Sequence, residues 1–191
     1  MVPGRYDAGE NQMSESPRPR SGLIQVYTGD GKGKTTAAIG LAVRAAGHGL
    51  RTYIGQFLKG RPYGELEALK RLAAWVTVEQ YGLDSWVHVD SVTPEQRAAA
   101  EAGLARARDA LLSGDYELVV LDEVNVALFF GLLTEEAVLQ LVADKPAHVE
   151  LVLTGRRAPP SILEQADLIT EMIEVKHPYQ QGIGARRGIE H

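Results

Sequence analysis

Nine consecutive residues, Thr28, Gly29, Asp30, Gly31, Lys32, Gly33, Lys34, Thr35 and Thr36, gather glycines, lysines and hydroxyls directly behind the apolar run Leu23 to Tyr27. Glycines let a backbone wrap closely around an anion. The N–H groups that open a helix lack intrahelical partners and sit at the positive end of its dipole, so phosphate oxygens are stabilised there. In such a loop Lys34 reaches the terminal phosphates, Thr35 offers its hydroxyl to Mg²⁺, and Lys32 adds a second cation at the mouth. The strict phosphate-loop spacing asks for glycine where Thr28 stands, and Gly29 comes one place late. A dinucleotide loop fits less well: it needs glycine in place of Lys34 and an acidic residue near Gln56, and has neither.

Farther along, Leu118 to Asn125 reads Leu-Val-Val-Leu-Asp-Glu-Val-Asn, with Asp122 and Glu123 closing an apolar run. Two carboxylates at the end of a buried strand, beside a phosphate loop, are what a hard divalent cation carrying a nucleotide triphosphate requires. This is a Walker B pattern. Asp122 and Glu123, with Thr35, are therefore the candidate Mg²⁺ ligands, and Lys34 and Glu123 the candidate catalytic residues.

Both motifs must be held by strands and helices, and the chain supplies them in alternation. Strands are expected at Leu23 to Thr28, Arg51 to Leu58, Trp75 to Gln80, Glu117 to Glu123, Val149 to Gly155 and Leu168 to Val175. Helices are expected over Thr35 to Ala46 and Glu65 to Ala74, and from Thr134 and Pro160. A longer helix should run to Ser113 from Thr93, where Pro94 and Gln96 complete a capping box. Its Ala100, Leu104, Ala107 and Leu111 fall on one face, leaving Arg97, Arg106 and Arg108 to solvent. Strands that are apolar on consecutive residues point to a mainly parallel sheet of about six strands, covered on both faces. The fold class is a three-layer α/β domain of the P-loop NTPase (RecA-like) kind, over residues 22–191. Residues 1–21, rich in Pro, Gly, Ser and charge, read as a flexible tail.

Twenty Lys and Arg stand against 25 Asp and Glu, a formal charge of -5, which argues against bulk binding to nucleic acid or anionic membrane. No cysteine is present, which removes disulfides and thiolate chemistry and fits a cytoplasmic setting. No apolar stretch approaches the roughly 20 residues of a spanning helix.

The segments Thr28 to Gly49, Ile54 to Gly60, Leu121 to Leu133, Leu153 to Pro160 and Ala166 to His191 together resemble the ATP:corrinoid adenosyltransferases. More narrowly, they are similar to the cob(I)yrinic acid a,c-diamide type of cobalamin synthesis and salvage. The likeness runs from about Gly22 to the C-terminus. Thr-Gly-Arg, Val-Lys-His-Pro and the terminal Gly-Ile-Glu are its most particular parts, and Thr-Gly at 28 and 29 is shared with the family. The resemblance implies transfer of the 5′-deoxyadenosyl group of ATP to a cob(I) corrinoid, with release of triphosphate and with the nucleotide reversed along the loop. It further implies an electron donor such as a flavin reductase or flavodoxin, and a homodimer. Because Co(I) is already a strong nucleophile, no base or triad is expected, only positioning and stabilisation of the leaving group.

The family also uses aromatic side chains below the corrin to displace its lower axial ligand. Aligned to Tyr81 to His88, these positions fall on Trp86 and on His88, which departs from a bulky aromatic and whose imidazole could itself coordinate cobalt. Arg156, at a strand end, and His177, before Pro178, are further candidate corrinoid or phosphate contacts. Two other readings use the same loop: a phosphoryl-transfer kinase or ATPase, which would leave ADP or phosphate, and a nucleotide-dependent switch.

Overall fold

The computed structural model describes residues 21–83 and 92–189. The tail expected over 1–21 lies almost wholly outside the described residues, and so do Trp86 and His88. The strands are β1 (Ile24–Thr28), β2 (Thr52–Gln56), β3 (Val76–Gln80), β4 (Leu118–Asp122), β5 (Glu150–Thr154) and β6 (Leu168–Glu171). They form one sheet in the order β3-β2-β4-β5-β1-β6, and every pairing is parallel. Parallel neighbours need crossovers. The helices between them are α1 (Lys34–Ala46), α2 (Gly64–Leu69), α3 (Pro94–Leu112), α4 (Val124–Phe129), α5 (Glu135–Ala143) and α6 (Pro160–Leu163).

Alternate residues of the central strands feed two cores. Val119 and Leu121 of β4 pack with Leu104 and Leu111 of α3, Leu141 of α5 and Ile162 of α6. Leu118 and Val120 face the other way, onto Ala38 and Ala42 of α1 and Leu69 of α2. The small face of α1 lets that helix lie close to the sheet and brings its N-terminus to the end of β1. The three layers expected from the sequence are present.

Helix α3 starts as its sequence dictates. The Thr93 hydroxyl accepts the Gln96 amide at 3.3 Å, the Gln96 side chain accepts the Thr93 amide at 3.0 Å, and Pro94 opens the first turn. Ala100, Leu104, Ala107 and Leu111 are its buried face. The three arginines opposite are not merely solvated. Arg106 forks onto Glu79 at 2.6 Å through two nitrogens, Arg108 bonds Asp144, and Arg97 donates to the Gly131 carbonyl.

Three boundaries differ from expectation. The last strand stops at Glu171 instead of reaching Val175. Its partner β1 ends at Thr28, and the chain beyond turns to bond the loop: Met172 N donates to Thr28 O at 2.9 Å and Met172 O accepts Gly31 N at 2.6 Å. The helix expected to Ala74 ends at Leu69 and tightens into a 3₁₀ turn over Lys70–Leu72. After Asp122 the chain enters α4 at once, an element with no distinct signal in so short an apolar stretch. Among the described residues, no helix is long and apolar enough to cross a membrane.

Candidate functional site

The loop between β1 and α1 turns on two glycines in conformations that other residues rarely adopt, Gly29 at φ 90° and Gly33 at φ 114°. Gly29 and Gly31 are also pressed against the chain following β6. A Cβ on Gly29 would fall 2.5 Å from the Met172 carbonyl oxygen, and one on Gly31 would fall 2.7 Å from it. The loop is thus clamped from behind, and its open side leads into the first turn of α1, where the amides of Lys34, Thr35 and Thr36 have no intrahelical acceptor. Lys34 Nζ donates to the carbonyls of Gly29 and Gly31 at 2.7 and 2.6 Å, holding its ammonium inside the curve of the loop. Burial lowers the Lys34 pKa and Arg156 pushes the same way, against the carboxylates of Glu123, Asp30 and Asp122.

The β2–β4 register places Gln56 beside Asp122, and the β4–β5 register carries Thr154 to its other side. Asp122 is 1% exposed and takes four donors. Its Oδ1 accepts the hydroxyls of Thr35 at 2.8 Å and Thr154 at 2.7 Å. Its Oδ2 accepts Gln56 Nε2 at 3.2 Å and Lys59 Nζ at 3.0 Å. The Thr35 proton is therefore spent on Asp122, which leaves the oxygen lone pairs to other partners. Thr154, fully buried, also accepts the Glu123 amide at 3.0 Å.

Glu123 is built differently from its neighbour. It sits at φ 62°, in the left-handed region, so the chain turns sharply out of β4 and into α4. Burial raises the Glu123 pKa and so does the adjacent Asp122, while Lys59, Lys34 and Arg156 oppose them without cancelling them.

A cleft of about 310 Å³ gathers these parts, lined by Gly31 to Thr36, Glu123, Arg156, His177 and Ile189. Of the residues singled out in the sequence, the loop, Glu123, Arg156 and His177 meet there, with Asp122 beneath. His177 accepts the Tyr179 amide on Nδ1 at 3.2 Å, which puts the proton of its neutral form on Nε2. Lys59, Gln56 and Thr154 lie in segments that resemble the family, Thr154 at the head of its Thr-Gly-Arg, but those segments assign the three no role. The signal that finds them is position: polar residues at the C-terminal ends of β2 and β5, the strands flanking β4. Ile189, from the terminal Gly-Ile-Glu, lines the cleft.

Two carboxylates and a threonine hydroxyl form an all-oxygen donor set that suits Mg²⁺. Among the described residues no group of three or more acidic or histidine side chains is placed to hold a metal unaided, so ligands from phosphate and water would complete the shell.

Comparison with known proteins places the chain in a family. A model of the ATP:corrinoid adenosyltransferases BtuR/CobO/CobP matches residues 20–191. The chain is 40% identical to a corrinoid adenosyltransferase of Pseudomonas aeruginosa over 190 residues, 97% of this chain and 92% of that protein. It is 34% identical over 197 residues to the corrinoid adenosyltransferase CobA of Salmonella typhimurium, covering all of this chain and 94% of the relative. A corrinoid adenosyltransferase of Escherichia coli is 34% identical over 205 residues, covering 100% of both. The chain belongs to the ATP:corrinoid adenosyltransferase family of enzymes.

Proposed function

We propose that this enzyme transfers the 5′-deoxyadenosyl group of ATP to the cobalt of a cob(I) corrinoid and releases the triphosphate in one piece. The cobalt lone pair attacks C5′, the C5′–O5′ bond breaks, and its electron pair leaves on the triphosphate oxygen as Co(I) becomes Co(III). Electrons therefore balance within the step, and the reductant is needed only beforehand, to generate Co(I). A flavin reductase or flavodoxin is the class of donor we expect. We expect the reaction in the cytoplasm and on a homodimer.

The observation that carries the proposal is the convergence, in one cleft of a family member, of the loop amides, Lys32, Lys34, Arg156 and Glu123. Cations on both sides of the leaving group stabilise charge that develops on it, which is the main task left when the nucleophile needs no base. Thr28 to Thr36 would hold the nucleotide phosphates. The Thr35 oxygen and Glu123 would bind Mg²⁺ directly, and Asp122, already fully bonded, would orient Thr35. Bound Mg²⁺ would supply charge neutralisation on the phosphates. His177 and Arg156 face the same space and are our candidates for corrinoid or phosphate contact, together with Trp86 and His88 outside the described residues.

Product identity tests the reaction. With Mg-ATP and a chemically reduced corrinoid, the absorbance change of cobalt–carbon bond formation should proceed in step with one equivalent of triphosphate. ADP or orthophosphate as the stoichiometric product, with the corrinoid unalkylated, would instead mark a kinase or ATPase.

A further inference from the structure

One member of the ring around Asp122, the ammonium of Lys59, is required neither by a phosphate loop nor by a metal-binding carboxylate. Its backbone is tightly specified. Leu58, just before it, is held in the left-handed region at φ 61°. Gly60, just after it, lies against Gly82: a Cβ on Gly60 would fall 2.5 Å from the Gly82 carbonyl oxygen, and one on Gly82 would fall 2.5 Å from the Lys59 nitrogen. Gly82 N closes the contact by donating to Lys59 O at 2.9 Å.

The side chain then runs inward and is 14% exposed. Nζ lies 3.0 Å from Asp122 Oδ2, 3.4 Å from Glu65 Oε1 and 5.1 Å from the centre of the Tyr63 ring. Two carboxylate oxygens within 3.4 Å of Nζ offset its charge in this largely enclosed position. A strained backbone, a glycine contact and an ion pair thus agree in fixing one positive charge beside two adjacent carboxylates. A bare carboxylate pair attracts any divalent cation, and a cation already in place repels one.

We propose that Lys59 is a resident cation that stands in for the divalent metal while nucleotide is absent. It satisfies Asp122, keeps free Mg²⁺ off the acidic pair, and restricts entry of the metal to the Mg–ATP complex, whose phosphates bring the charge and ligands that the protein does not supply. Lys59 is in this sense a positioning residue, acting through Asp122 and Glu123. The inference rests on the metal placement proposed above.

The test uses Mn²⁺ as the probe and the full-length protein at low ionic strength, without corrinoid, with retained metal measured by rapid ultrafiltration. Wild type should bind Mn²⁺ alone at least about tenfold more weakly than it binds Mn²⁺ in the presence of ATP. Lys59→Met should bind Mn²⁺ alone about tenfold more tightly than wild type, whereas Lys59→Arg, which keeps the charge, should match wild type. Because Lys59→Met strips Asp122 of a buried partner and can unfold the domain, Lys59→Gln, which keeps a donor toward Asp122 but no charge, repeats the test and should also bind Mn²⁺ alone more tightly than wild type. Equal wild-type affinity with and without ATP overturns the proposal. So does a folded Lys59→Met that binds Mn²⁺ no better than wild type, or a Lys59→Arg that behaves like the methionine variant. A purely structural lysine would lower Tm without tightening Mn²⁺ binding. Failure of Mn²⁺ to bind even with ATP would remove the metal placement itself, and this inference with it; an unchanged Lys59→Met with Mn–ATP binding intact removes this inference alone.

Discussion

The two ends of the sheet use charge in opposite ways. At the N-terminal ends of the strands, Glu150 accepts the Leu23 amide at 2.9 Å and Gln25 Nε2 at 2.5 Å, and Glu117 accepts the Arg51 amide at 2.7 Å. A hollow of about 640 Å³ lies there, lined by residues such as Gln25, Leu41, Arg44, His48 and Glu150. At the C-terminal ends the cleft is half as large, at about 310 Å³. Yet among the described residues all three non-glycine residues with positive φ, Leu58, Glu123 and Arg157, lie just beyond the ends of β2, β4 and β5. A carboxylate 1% exposed and a lysine 6% exposed lie there too. Strained backbone and buried charge persist only where the surrounding structure over-determines them, and they collect at functional sites. Size points to the wrong end of this molecule, and strain with buried charge points to the other.

The largest effect that should follow concerns Lys34. Replacing it with Ala removes the ammonium held inside the loop by Gly29 and Gly31, a cation on which the proposed stabilisation of the leaving triphosphate relies. Adenosyl transfer should fall by at least about a thousandfold. Rates measured with Mg-ATP and reduced corrinoid, on protein whose circular dichroism matches wild type, decide this. A variant within tenfold of wild type would mean that the charge gathered at this end does not act on the triphosphate.

Next in size is Thr154→Val, which keeps the shape and deletes a hydroxyl bonded both to Asp122 Oδ1 and to the Glu123 amide. The hydroxyl is fully buried, so both partners lose a hydrogen bond that water cannot replace. The loss should be about 2–3 kcal/mol in urea unfolding. A loss below about 0.5 kcal/mol would place Thr154 with ordinary surface groups and leave Asp122 held by its other donors.

Much of this architecture was legible in the chain because its causes are local. The alternation of strands and helices, the capping box at Thr93, the apolar stripe of α3 and the glycine loop each depend on neighbours a few residues apart. The ring around Asp122 depends on register instead. Gln56 stands beside Asp122 only because β2 pairs with β4 in a particular frame, and Thr154 because β5 continues that frame on the other side. No local pattern encodes either fact. The end of β6 escapes a local reading for the same reason: Ile173 and Val175 have the composition of strand residues, but β1 offers no edge beyond Thr28 for them to pair with. Lys59 stood in a stretch that resembles the family, yet its contacts arise from Asp122 and Glu65, one of them far away in sequence.

The smallest effect, and the one that separates the two ends most directly, is in the pH dependence of stability. Burial and the neighbouring Asp122 raise the Glu123 pKa above its ordinary 4.5. Between that value and the raised one, the folded state binds more protons than the unfolded state, so stability falls as pH rises through the window and stays penalised above it. Glu123→Gln does not titrate. Its stability should therefore gain on wild type from about pH 4.5 upward and level off once Glu123 is ionised, even as the substitution removes a proposed metal ligand. Arg51→Ala supplies the reference from the N-terminal end, where the pair with Asp115 spans 3.5 Å with side chains 48% and 61% exposed. Its cost should be no more than about 0.5 kcal/mol and should shrink with added salt. Urea denaturation of both variants across a pH series makes the comparison. A gap between Glu123→Gln and wild type that stays constant would show that Glu123 is as well solvated as the carboxylates at the other end, and one that opens in favour of wild type as pH rises would show that Lys59, Lys34 and Arg156 outweigh its burial.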